Sequence, residues 1–181
     1  MFKEESSALS KIVDLLFSEG NIVTTISILV SATVAMIVLG VNQFYSNRRE
    51  RKKLICQKIE EFYEASIAYT NACDKLVTDI QRMTYRCESG YYRNDPAAYA
   101  LFEQSISKME MLHGLYFQRI DFNSEDYAIT KMPLIWAANS GELARKSVNA
   151  DDVYKASRAH INMSAEHLSE LCKELMRKHM I

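Results

Sequence analysis

The chain has 181 residues and is nearly neutral, with 22 Lys and Arg against 23 Asp and Glu. From Ser46 onward 20 cations face 19 anions, which argues against a nucleic-acid binder, because such domains usually carry a large basic excess. With only five Gly and two Pro, and few Val or Ile after the first 45 residues, the composition predicts an all-α protein.

Residues 1–21 are polar at both ends and contain the stretch LSKIVDLLF. Its apolar residues share one helical face, namely Leu9, Ile12, Val13, Leu16 and Phe17. We therefore expect a short amphipathic segment on the outer membrane surface.

The next segment, IVTTISILVSATVAMIVLGV, contains no charged residue from Ile22 to Val41. Twenty helical residues extend about 30 Å, the thickness of the hydrocarbon core of a bilayer. A cleaved signal peptide would need a basic N-terminal region and small residues before a cleavage site, and neither is present. The pattern predicts a retained transmembrane helix over 22–45, with Phe44 and Tyr45 as interfacial aromatics.

Five cations in six positions follow this segment: Arg48, Arg49, Arg51, Lys52 and Lys53. Lys and Arg close to a span stay in the cytoplasm, so they predict a single-pass membrane protein with its N-terminus outside. Residues 46–181 would then form the cytoplasmic part. The same side chains are expected to contact anionic membrane lipid.

Within the span, Ser27, Ser31 and Ala35 recur at every fourth position. Small residues at this spacing allow helices to approach closely, so this face is a candidate for self-association into a homo-oligomer. No ionisable residue lies between Ile22 and Val41, so a proton relay of the usual kind is not expected.

The region after the cations shows an apolar seam with alternating spacings of four and three. Its positions are Ile55, Ile59, Phe62, Ser66, Tyr69, Cys73, Leu76, Ile80, Met83 and Cys87. This heptad pattern predicts a long helix, which has no Gly or Pro to separate it from the span.

Three turn signals divide the remaining chain. Gly90 suits a helix end and Asp95–Pro96 a helix start, Asn123 or Ser124 caps a second turn, and Asn149 begins the last helix. Pro133 is expected to precede a helix through Trp136 and Leu143, with Trp136 in the core. His113, on the apolar face of the second helix, is expected to be a hydrogen-bonded core residue. About four helices with short connections predict an antiparallel bundle.

A search for chemistry yields little. The cysteines do not form a C-x-x-C motif, and Glu166, His167, Glu170 and His160 do not complete a carboxylate-bridged metal pattern. No cofactor, metal or catalytic residue is predicted. Tyr91, Tyr92 and Arg93 form a candidate partner contact, because Tyr and Arg are favoured in interface hot spots, although Tyr also packs at bundle ends.

The stretch RKKLICQKIEEFYEA, from Arg51 to Ala65, resembles the basic, then KLEELY-like, start of small single-span bacterial membrane proteins of unknown function. The likeness covers about 40 residues including the span and departs from the pattern at Phe62. It implies a bacterial inner membrane and brings no catalytic residue with it.

Two functions fit these features. The first is a membrane-tethered, non-enzymatic protein-interaction module whose partner the sequence does not name. The alternative is a membrane effector that oligomerises through its span into a pore. In either case the four cysteines would face the reducing cytoplasm as free thiols.

Overall fold

A computed structural model describes residues 22–85 and 92–180, and in these ranges it contains helices and no β-strand. Helix α1 is Ile22–Tyr85, α2 is Pro96–Tyr116, α3 is Pro133–Asn139 and α4 is Ala150–Met180. Two 3-10 turns, Ser124–Tyr127 and Ile129–Lys131, lie between α2 and α3. The predicted all-helical class is confirmed. The predictions for residues 1–21, Cys87, Gly90 and Tyr91 lie outside the described residues.

The chain divides into two compact units, residues 1–51 and 52–181. In the first, all described residues belong to α1, and the large apolar side chains from Val23 to Val41 are exposed. Of the described helices, α1 alone is long and apolar enough, by length and composition, to cross a membrane. Its 64 residues run without a break, because no Pro interrupts them and Gly40 is tolerated within a helix.

The second unit has a core built on the predicted seam. Every described seam position from Ile55 to Met83 is buried or half-buried. Phe62, fully buried, meets the edges of Phe117 and Phe122 with ring centroids 6.2 and 5.5 Å apart. Ser66 is tolerated there because its hydroxyl donates a hydrogen bond to the Tyr63 carbonyl at 2.7 Å. The four-three spacing therefore identified the core face of α1.

The predicted helix starts are confirmed. The Asp95 carboxylate caps α2 by accepting from the Ala97 N–H at 3.0 Å, and Pro96 occupies the first turn. Asn123 caps the first 3-10 turn through the Glu125 N–H at 3.2 Å. The Asn149 side chain accepts from the Asp151 N–H at 3.0 Å, at the start of α4. Each side chain satisfies a backbone donor that has no partner within its own helix.

The prediction that Trp136 lies in the core is wrong. Helix α3 has only seven residues, and its core side is already occupied by Leu134, Ile135, Ala137 and Ala138. Trp136 lies on the remaining side and is 54 % exposed. The predicted extension of this helix through Leu143 is also wrong, because the helix ends at Asn139 and Leu143 lies beyond it, although its side chain is buried. A tight turn with Gly141 at φ +76° comes between them, a conformation that glycine adopts without strain.

The histidine on the apolar face of α2 is held by a hydrogen bond. His113 is half-buried, and its Nε2 lies 3.1 Å from the carbonyl oxygen of Ile120. Because a carbonyl can only accept, Nε2 must carry the proton. His113 thereby ties the end of α2 to the chain that follows it, and the predicted structural role is confirmed.

Candidate functional site

The five cations after the apolar segment are exposed and lie on α1. At about 100° per residue they cover about 200° of the helix circumference. None of them forms an ion pair with a residue in the described ranges, whereas Glu50, in their midst, accepts a hydrogen bond from Ser46 at 3.5 Å. These side chains therefore present positive charge on several sides of one helix.

The small residues of the apolar segment are also exposed. Ser27, Ser31 and Ala35 lie along one face of α1, as their spacing predicts. The Thr33 hydroxyl donates to the Leu29 carbonyl at 2.8 Å, so this polar group is satisfied inside its own helix. A polar group satisfied in this way does not itself require a partner in the bilayer.

The predicted contact surface at residues 91–93 is not a uniform exposed patch. Tyr92 is half-buried and packs against the core of the second unit, while Arg93 is exposed. Tyr91 lies outside the described residues. The packing of Tyr92 favours the alternative given above, in which this tyrosine packs at the end of the helical bundle.

A groove of about 450 Å³ lies between α1 and α4 in the second unit. Its lining residues are Ile59, Glu60, Tyr63, Ser169, Cys172, Lys173 and Met176. Tyr63 and Met176 are 47 % and 43 % exposed, so two large, mainly apolar side chains stand at the surface there. Most of the wall is apolar, and Glu60 and Lys173 supply one charge of each sign.

A tyrosine–histidine pair joins the loop between α2 and α3 to α4. The Tyr127 hydroxyl lies 2.5 Å from Nδ1 of His167, and the Tyr127 carbonyl accepts from the Tyr69 hydroxyl at 3.2 Å. The Tyr127 ring stacks on Phe122 at 5.4 Å, and burial raises the pKa of Tyr127 to about 12. A phenol with such a pKa stays protonated at neutral pH, so the pair acts as a structural link.

The other groups considered for chemistry have structural surroundings. The Glu170 carboxylate accepts a hydrogen bond from Lys173 at 2.6 Å, and this bond lowers the pKa of Glu170. The pKa of His160 is lowered mainly by burial and also by the nearby positive charge of Lys131. Within the described ranges no three His, Cys, Asp or Glu side chains are grouped so that they could hold a metal ion. Among the cysteines in these ranges, Cys56, Cys73 and Cys172 are free thiols.

Comparison of the chain with protein-family models, with curated proteins and with solved structures found no match.

Proposed function

We propose that this chain is a membrane-tethered, non-enzymatic protein-interaction module of the bacterial inner membrane. The observation that carries the proposal is the composition of α1. One unbroken helix contains an exposed apolar stretch of bilayer length and, further along, the buried seam of a folded helical unit. An exposed apolar stretch of this length is costly in water and favourable in lipid, so it supports a role as an anchor.

The helical unit, in this proposal, is an antiparallel bundle on the cytoplasmic side. An ion pair between Asp74 of α1 and Arg158 of α4 supports the antiparallel arrangement. Earlier residues of α1, 59–63, share a groove with later residues of α4, 169–176, as two helices running in opposite directions require. The cytoplasmic side follows from the five cations after the span, which resist translocation.

Binding of a protein partner accounts best for the surface of this unit. Large apolar side chains stay exposed on α1, α3 and α4, among them Tyr63, Trp136 and Met176. Tyr and Trp are enriched in the hot spots of protein interfaces, where they supply large contact area with few rotatable bonds. Trp136 is the sharpest candidate, because a seven-residue helix presents it away from the core.

The test is capture of the tagged full-length chain from gently solubilised membranes, followed by mass measurement of the complex. We expect a protein partner that is retained when residues 22–45 are replaced by an unrelated span. Trp136→Ala should weaken capture, while Asn139→Ala, an exposed polar change on the same helix, should leave it unaltered. Capture that depends on the original span and not on Trp136 would contradict an interaction role for the helical unit.

A pore-forming effector is the second candidate, and the exposed face of Ser27, Ser31 and Ala35 favours it. Ser31→Leu should reduce oligomerisation, because the added bulk prevents close backbone approach, whereas Met36→Leu, about 140° around the helix from Ser31, should be neutral. A pore would also raise ion leakage on overproduction, and Ser31→Leu should abolish it. Leakage that depends on Ser31 would favour the pore over the tethered module.

A further inference from the structure

The five exposed cations Arg48, Arg49, Arg51, Lys52 and Lys53, here termed the cationic collar, are spread around α1 and not gathered on one face. Their helical positions cover about 200°, and Glu50 and Leu54 lie on the opposite side. A ligand held in a single pocket would need these side chains to converge. This arrangement instead suits several small anions bound around the helix at once.

None of the five collar cations has a carboxylate partner within the described ranges, whereas several cations of the helical unit do. Lys58 pairs with Glu61 at 2.7 Å, Lys173 with Glu170 at 2.6 Å, and Lys75 and Arg158 pair with Asp95 and Asp74. Glu50 lies between these cations in the sequence but forms no ion pair with them, so residues 48–53 keep four net positive charges. These charges need counterions from outside the helix.

The distance from the apolar segment identifies the source of these counterions. At about 1.5 Å per residue, Arg48 and Lys53 lie about 5 and 12 Å beyond Tyr45 along the helix. The polar headgroup layer is about 5–8 Å thick on each side of a bilayer, and long Lys and Arg side chains can reach back toward it. With Tyr45 at the interface, the collar lies within about one Debye length of the lipid phosphates.

We propose that the collar gathers anionic glycerophospholipids around the helix by attracting the negative charge of the phosphate, which in these lipids is not balanced by a headgroup cation. The proposal rests on the proposed function, since it requires that α1 spans the bilayer. It goes further by assigning the chain a lipid preference: anionic lipids are enriched next to the anchor, and zwitterionic lipids are depleted. Arg contributes paired N–H donors that match a phosphate, and Lys contributes a compact charge.

The experiment reconstitutes the full-length chain into vesicles of phosphatidylcholine with trace spin-labelled phosphatidylglycerol or phosphatidylcholine. Electron paramagnetic resonance then gives the association of each lipid with the protein. At low salt we expect phosphatidylglycerol to associate about five-fold more strongly for each cation–phosphate contact, and the preference to fall toward one at 1 M NaCl. Both leaflets have the same composition, so the orientation of the chain does not affect the result.

The variant exchanges all five collar cations for Gln and should lose the preference. Its matched control exchanges five exposed cations elsewhere, Arg119, Lys131, Lys146, Lys155 and Arg177, for Gln, which changes the net charge equally. The control should retain the preference. Equal association of the two lipids with the unaltered chain, or a preference that survives in the collar variant, would overturn the proposal.

Insertion is measured separately, by flotation with the vesicles after a carbonate wash. A chain that does not remain with the vesicles would refute the membrane anchor and with it the proposed function. A chain that remains but shows no lipid preference would refute the collar proposal alone.

Discussion

Two thiols and two phenols are held uncharged by the core of the helical unit. Burial raises the pKa of Cys73 to about 12 and that of Cys172 to about 11. Burial also raises the pKa of Tyr127 to about 12, and that of Tyr69 well above its usual range. Because the thiolate is the reactive form, Cys73 and Cys172 are expected to be inert in the folded protein.

Because these groups keep their protons to a higher pH in the folded chain than in the unfolded chain, the stability of the protein decreases in the alkaline range. In the unfolded chain a thiol loses its proton near pH 9, but in the folded chain Cys172 keeps it until about pH 11. The stabilisation is complete below pH 9 and is lost as the pH rises from 9 to 11. We expect the urea concentration at the midpoint of unfolding, measured in detergent, to decrease as the pH is raised from 8.5 to 10.5. This decrease should be steeper for the unaltered chain than for Cys172→Ala. A flat profile would contradict the burial of these groups.

Truncation of the buried seam should be far more costly than truncation of its exposed neighbours. Phe62, Leu76 and Ile80 are fully buried, and replacing each by Ala should lower the free energy of unfolding by about 2–5 kcal/mol. Glu64→Ala, on the exposed side of α1, should cost less than about 0.5 kcal/mol. Lys75 is a poorer control, because it pairs with Asp95 at the start of α2. If urea unfolding showed a larger loss of stability for Glu64→Ala than for Phe62→Ala, the assignment of the seam to the core would be refuted.

At the scale of elements, the short helix α3 depends on a neighbouring helix to satisfy a free N–H group in its first turn. Met132, at the cap position, supplies no side-chain bond, and the Leu134 N–H instead donates to the Ser157 hydroxyl of α4 at 2.8 Å. Ser157 is fully buried, so water cannot replace it. An isolated seven-residue helix would be marginal in water, and this contact helps to hold it in place.

Ser157→Ala should therefore destabilise the unit by about 1–3 kcal/mol, because the buried Leu134 N–H loses its acceptor. Ser169→Ala, on the same helix but half-exposed, is the matched control and should have little effect. Hydrogen exchange at Leu134 gives a second measurement, and it should accelerate only in the Ser157 variant. Unchanged exchange there would show that the contact does not hold α3.

At the scale of the whole molecule, the predicted membrane topology can be tested by labelling introduced cysteines. A cysteine introduced at exposed Asn162 should resist a membrane-impermeant thiol reagent in intact cells and react after permeabilisation. Ser6→Cys, before the span, should react in intact cells. Exchange of the five collar cations for Gln should produce mixed orientation. Reaction of Asn162→Cys in intact, unaltered cells would place the helical unit outside and refute the predicted topology.

The sequence alone determined the features that depend on local spacing. Neighbouring residues were enough to predict four features: the helical class, the long apolar helix from Ile22, the buried seam of α1 and the start of α2 at Asp95–Pro96. Such features follow from backbone propensity and from which side of one helix is apolar, so no distant contact is needed to define them.

Only the tertiary structure decided which distant residues meet. The Tyr127–His167 link, the Ser157 contact and the groove between α1 and α4 join residues from 23 to more than 100 positions apart. Their contacts depend on how the helices pack, and periodicity does not specify that. Trp136 is a further example. A large aromatic residue in an apolar run is predicted to be buried, but the core side of α3 is occupied by the neighbours of Trp136, so its side chain is exposed.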